Sequence, residues 1–297
     1  MEEERQPVVG NNRRPYAALD FLLASTSVQT NPYIAAFAKT PFVRALQEDS
    51  RYDNLRKFTN IKKEVTEASA AIAQIRRCIA RLRLEEEEDV VYGEDDSDND
   101  NYNDNDNDND SAAADDSSAR RVKRFHDGEG LSLVDLCSGK GFLSTMLAWE
   151  FPKASIHMCD FDDSLELSHL SSLPNVQYHH QDLFSKDAED TVAAAVSGGG
   201  GGGDNNACII IGVHLCGELS KRAIQLWRTT GAAAIVLSPC CLPRRRRHDA
   251  FGFHIKDQAK RLKVPSYQVW CTLLYGLLPL GEPEARGQGR PDPTRRL

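Results

Sequence analysis

Long apolar runs are missing from both ends of this 297-residue sequence. It opens on Met-Glu-Glu-Glu-Arg-Gln-Pro, so neither a signal peptide nor a membrane span is expected. Hydrophobic residues make up 40%, which supplies a core but not along the whole length. Cys-x-x-Cys is missing too. The eight cysteines, from Cys78 to Cys271, lack the dense spacing of a secreted disulfide scaffold. They read as reduced thiols of an intracellular protein, cytoplasmic before nuclear. Basic residues are missing from residues 85–116, which hold 16 acidic side chains and no Lys or Arg. Subtracting those 16 charges from a net −8 leaves the remainder at +8, which permits a polyanionic partner. No RNA-binding signature with interleaved aromatics is present. The glycine run at residues 198–203 is not followed by Lys-Ser/Thr, so it reads as a flexible linker and not as a P-loop.

What is present begins as helix. Residues 1–15 show no periodicity and are expected to be unstructured. Residues 16–23 suit one or two helical turns; Asn31-Pro32 starts another helix and Pro41 restarts it. Ser50-Arg51-Tyr52-Asp53 resembles a capping box. Beyond it Ile61, Val65, Ala68, Ile72, Ile75, Ile79 and Leu82 alternate in steps of four and three, one stripe on a helix. The stripe suits a coiled-coil seam or a long helix packed on its own domain, and three heptads is short for the former. Residues 85–118 are acidic and of low complexity. They bury too little apolar area to offset ordering, and read as a disordered linker or as an acidic decoy for the basic face. Four parts are therefore expected: a helical extension at 1–84, an acidic linker at 85–119, a folded domain at 120–280 and an unstructured tail at 281–297.

The folded domain opens on Leu-Ser-Leu-Val-Asp-Leu-Cys-Ser-Gly-Lys-Gly, residues 131–141. An apolar run, a turn containing Gly139 and Gly141, and an apolar helix is the opening of a doubly wound α/β sheet. The helix start offers unpaired N–H groups to a polar ligand. A second strand ends at Asp160, 21 residues past Gly139, where an acid can accept from both hydroxyls of a ribose. A third strand ends near Asp182, residues 188–196 suit a helix, and residues 208–213 and 232–237 are a fourth and fifth strand. Ligands bind outside the C-terminal ends of such strands. His214, Cys216, Ser238, Cys240 and Cys241 are therefore expected to converge on the site's mouth. Four of these, His214 and the three cysteines, are zinc-ligand types. No metal is assigned, because there is no Cys-x-x-Cys and adjacent cysteines at a strand end point in different directions. Arg244, Arg245, Arg246 and Arg247 form the densest positive run, suited to phosphate contacts with RNA or to a solvated loop. Residues 265–280 suit a helix against the sheet.

Leu-Val-Asp-Leu-Cys-Ser-Gly-Lys-Gly resembles the first motif of the class I S-adenosylmethionine methyltransferases. His-Leu-Cys-Gly after the fourth strand and Pro-Cys-Cys after the fifth resemble a subgroup that includes acceptor-stem tRNA ribose methyltransferases. The resemblance covers about residues 121–280. It implies S-adenosyl-L-methionine as cofactor, held by Asp135, Cys137, Ser138, Gly139 and Gly141, with Asp160 on the ribose. Asp182 would meet the adenine amino group, and Leu183 and Phe184 would pack on the base. Cys137 stands where a first glycine is common, Lys221 where an acid is usual, and Leu242-Pro243 where a His follows the Cys pair. The tRNA enzymes' N-terminal zinc modules have no counterpart, so the tRNA substrate is not carried over. The family's usual final hairpin, strands six and seven, is not found either.

The expectation is a Rossmann-like, mainly parallel sheet of order 3-2-1-4-5, lacking the last hairpin and preceded by a helical extension. The expected function is methyl transfer to an acceptor, RNA before others. The alternatives are an inactive cofactor-binding or interaction module and a nicotinamide-dependent oxidoreductase, against which the two Cys motifs speak. His214 is the expected general base or acceptor-orienting group, with Ser238 and Cys240 as further catalytic candidates.

Overall fold

A computed structural model describes residues 17–58, 60–91, 125, 127–198, 206–243 and 251–278. The chain divides into two units, Met1–Cys241 and Leu242–Leu297. The first holds short helices α1 (Ala17–Ala24), α2 (Ser27–Thr30), α3 (Pro32–Phe37), α4 (Pro41–Glu48) and α5 (Asp53–Arg56), then the long α6 (Ile61–Val91). The sheet region follows as β1 (Leu131–Leu136), α7 (Phe142–Glu150), β2 (Ser155–Asp160), β3 (Val176–His180), α8 (Lys186–Ser197), β4 (Ala207–Cys216), α9 (Glu218–Thr230) and β5 (Ala234–Cys241). The second unit contains α10 (Ile255–Leu262) and α11 (Ser266–Tyr275), packed on each other, with the Phe251 ring 5.9 Å from Trp270.

The sheet is parallel throughout, in the order β3-β2-β1-β4-β5. This is the Rossmann-like, doubly wound arrangement that the alternation of strands and helices implied. No sixth or seventh strand occurs among the described residues. β1 lies at the centre and is buried along its whole length, as a parallel strand covered on both faces must be. Its alternate residues serve opposite cores. Leu131 and Leu133, with Ile209 and Ile211 of β4, face the N-terminal helices and α7. Val134 and Leu136, with Cys208 and Ile210, face α8 and α9.

The heptad-like stripe of α6 is consumed inside its own unit. Ile61, Val65, Ala68, Ile72, Ile75 and Ile79 are buried in the same core as β1 and β4, and Leu82 packs on it partly exposed. This is the second of the two readings of that stripe, a long helix on its own domain. α6 also runs seven residues past the boundary expected at 84, through residues 85–91; the four glutamates at its end are good helix formers. Residues 92–118 of the acidic tract, like residues 1–15, 199–203 and 281–297, lie outside the described residues. The capping box at Ser50 does not form. Asp49, one residue earlier, accepts from the Arg51 N–H at 2.9 Å and opens a 3-10 turn, Ser50–Tyr52, because its side chain reaches the backbone two residues on. Asn31 does cap α3, accepting from Tyr33 and Ile34 N–H at 2.9 and 3.3 Å.

Aromatic rings tie these helices to α7. Phe142, its first residue, lies 6.4, 6.1 and 6.0 Å from the rings of Phe37, Phe42 and Phe58. The Trp149 indole N–H donates to the Tyr52 hydroxyl at 3.2 Å. The helix that follows the glycine turn is thus braced from the N-terminal side.

Candidate functional site

The turn after β1 carries the site's frame. Cys137, Gly139 and Gly141 have φ of 56°, 54° and 75°. A β-carbon at Gly139 would meet nothing within 4 Å, whereas one at Gly141 would press on the Met158 side chain at 2.6 Å. Backbone at Gly139 is therefore open to close approach by a ligand. Asp160, at the tip of β2, accepts from the Gly139 N–H at 2.8 Å with one carboxylate oxygen and from the Asp162 N–H at 3.1 Å with the other. The acid that spacing placed near the glycine turn also holds that turn in place.

Asp135 is buried beneath the turn and accepts from the Ser144 hydroxyl of α7 at 2.6 Å. Burial pushes its carboxyl up to about 7, against the Ser144 hydrogen bond that favours the ionised form, and the nearby Asp160 charge adds to the rise. Burial, then Asp160 and Asp135, pushes the Cys137 thiol up to about 12, so it stays protonated. Asp182, past β3, is exposed and accepts from the Phe184 N–H at 3.0 Å. Leu183 turns inward to the core under α8 and α9, and its carbonyl accepts from Arg222 at 2.8 Å. Of the pair expected on the base, Phe184, 55% exposed, is the one facing solvent.

β4 extends past the expected Val213 through His214 to Cys216. The strand is irregular there: Val213 pairs with Ser238, Leu215 with Pro239 and Cys216 with Cys241. His214 is thus an extra residue on β4 and Cys240 one on β5. His214 sits at φ 66° and meets Glu67 of α6, Nε2 to Oε2, at 2.5 Å. Glu64, one turn earlier, has its carboxyl pushed up by burial, with the Glu67 charge adding to the rise and His214 opposing it. A cavity of about 200 Å³ lies here, lined by Asp135, Cys137, Ser138, Gly139, Lys140 and His214 from the sheet side. Phe58, Glu64, Glu67 and Ala68 close it from the helical side. It opens at the junction of β1 and β4, where the strand order reverses and such sheets bind ligands. The Ser138 hydroxyl is buried in its wall with no hydrogen-bond partner.

Residues 117–245 match a methyltransferase domain. The match spans the glycine turn, all five strands and the Cys-bearing tips, and it supports a methyltransferase activity for this stretch. No curated protein matches the chain.

Some expected site residues come together around this cavity: Asp135, Cys137, Ser138, Gly139 and His214 line it directly. Asp160 joins through its bond to Gly139, while Gly141 lies behind the turn against Met158. Ser238 is exposed on β5 opposite Val213. Cys240 donates to the His214 carbonyl at 3.3 Å. Arg244–Arg247 lie outside the described residues. Sequence reasoning missed Glu64 and Glu67. Both lie between stripe positions of α6, and the pairing of 67 with 214 is a tertiary contact that no local signal carries.

Proposed function

We propose that the chain transfers a methyl group from S-adenosylmethionine to an acceptor, with RNA as the acceptor class. The observation that carries this reading is the joint between turn and acid: Gly139 N–H on Asp160, beside a cavity whose Ser138 hydroxyl has no protein partner. When bound, the cofactor supplies an electrophilic methyl on a sulfonium. Asp160 spends one contact per oxygen on backbone, and a carboxylate has about four lone-pair sites, so it retains capacity for ribose hydroxyls. Asp182 is exposed for the base amino group, with Phe184 beside it. At about 200 Å³ the cavity is smaller than whole-ligand pockets of roughly 300–1,000 Å³, and suits one end of the cofactor. Ser138 and Glu64 suit the ammonium of its amino-acid end.

His214 is the residue we assign to the acceptor. With Nε2 engaged by Glu67, its Nδ1 is left to take or orient an acceptor proton, while Glu67 steadies the imidazolium that results. A larger groove of about 690 Å³ between α1 and α6 shares Glu67 with the cavity. Phe21, Lys62 and Lys63 line it, an exposed ring for stacking and two cations for phosphate. The sequence adds Arg244–Arg247, which favours the same class of acceptor.

Binding and transfer separate the roles. Asp160→Ala removes a ligand acceptor and the anchor of the turn, and should weaken cofactor binding about tenfold to a hundredfold in calorimetry. His214→Ala should bind the cofactor as the native chain does, yet lower single-turnover transfer by roughly a hundredfold or more. Unchanged binding in Asp160→Ala would refute the cofactor site, and unchanged turnover in His214→Ala would remove His214 from the chemistry. With methyl-labelled cofactor and a cell lysate, label released by nuclease supports RNA; label released only by protease excludes it.

A further inference from the structure

Three thiols meet at the tips of β4 and β5, apart from the cavity lining. Cys216 and Cys240 sulfurs are 3.0 Å apart, Cys240 and Cys241 sulfurs 3.5 Å, and all three lie within 4.8 Å of one another. Regular alternation would turn Cys240 and Cys241 to opposite sides, which, beside the lack of Cys-x-x-Cys, is the sequence argument against a metal. The paired irregularities overturn that argument. His214 is inserted in β4 and Cys240 in β5, and an inserted residue bends its strand and re-aims side chains. The arrangement is tied at two further points. Cys240 donates to the His214 carbonyl at 3.3 Å, and the Gly217 N–H donates to the Cys241 carbonyl at 3.2 Å. No disulfide joins any of the eight cysteines.

We propose that Cys216, Cys240 and Cys241 form a zinc site of three thiolates with an open fourth position. Tetrahedral zinc with bonds of about 2.3 Å sets its sulfurs roughly 3.8 Å apart, so the present spacings need adjustments of under about 1 Å. An all-sulfur set selects soft or borderline ions and excludes magnesium and calcium. A disulfide would use two of these thiols and gives no reason for the third to be gathered. Three protein ligands leave one position for water or an incoming thiol, the pattern of a reactive and not a purely structural zinc. The thiols are exposed, so the ion has a path in from solvent. The proposal does not depend on methyl transfer.

The test uses the full chain, reduced and stripped of metal. Cobalt titration should reach one ion per chain, with intense thiolate charge-transfer absorption and the visible bands of a tetrahedral ion, and zinc should displace it. Cys240→Ser should weaken zinc binding at least about tenfold, since even outer-shell changes reach that size. Cys271→Ser, outside the cluster, should bind as the native chain does. Circular dichroism of each apo variant establishes that the fold persists. Cys216→Ser provides a second ligand loss should Cys240→Ser fail to fold. Cobalt taken up without charge-transfer absorption would overturn the site, as would equal affinity in either cluster variant. A Cys216–Cys240 disulfide by mass spectrometry, with no metal uptake after reduction, would overturn it in favour of a redox pair.

Discussion

At Cys137 and His214 the backbone stands at φ 56° and 66°, a region that disfavours side chains with a β-carbon. Each position costs roughly 1–3 kcal/mol, and each borders the cavity between β1 and β4. Glycine is the cheaper residue in such a place. A thiol and an imidazole standing there instead is consistent with side chains used by the site. Asp135 offers a quantitative test at the same scale. Its carboxyl ionises near 3.8 when unfolded and at about 7 in the folded chain. Between those values the unfolded state binds fewer protons, so stability falls as pH rises. Below the window the contribution vanishes, and above it the loss is constant. The full difference is about 4 kcal/mol. Asp135→Asn keeps an acceptor for Ser144 but has no such proton. Its unfolding free energy relative to the native chain should therefore rise by up to about 4 kcal/mol from pH 4 to pH 7 in urea titrations. Parallel curves would show that Asp135 is ionised throughout.

Among the elements, α7 connects the glycine turn to the N-terminal helices. Phe42 is 1% exposed and its ring touches those of Phe37, Tyr52, Phe142 and Trp149. Truncating it leaves a cavity among rings that cannot all collapse, so Phe42→Ala should cost about 3–5 kcal/mol in chemical denaturation. A loss under about 1 kcal/mol would mean the brace is loosely packed. The strands and their order were legible because apolar runs alternate with turn residues and acids at fixed intervals, and because right-handed crossovers leave few topologies. The stripe of α6 was legible for the same reason of period. Other features were not legible. That Glu67 stands over His214 depends on how α6 crosses β4. That three sulfurs converge depends on two single-residue insertions in strand pairing, which leave no trace in composition. Leu183 was expected on the base from its place after Asp182, and it faces inward because the strand exit turns it toward α9.

For the whole molecule, the unit Met1–Cys241 is built from two stretches of chain separated by residues 92–124, yet both contribute to one core. A protease site introduced between residues 92 and 124 should therefore give two fragments that remain together in size-exclusion chromatography and part only in denaturant. Fragments that separate in native buffer would show that the shared core is not what holds them. The same arrangement has a temporal side. On the ribosome, α6 emerges with its apolar stripe complete, but the strand carrying Ile209 is still 130 residues behind Ile79. At 5–20 residues per second the part of the stripe that meets β4 waits roughly 7–26 s for that strand. During that interval the helices made before α6, then β1 and α7, are the partners at hand, so the N-terminal helices and the first strand can form a partial core before the sheet is complete.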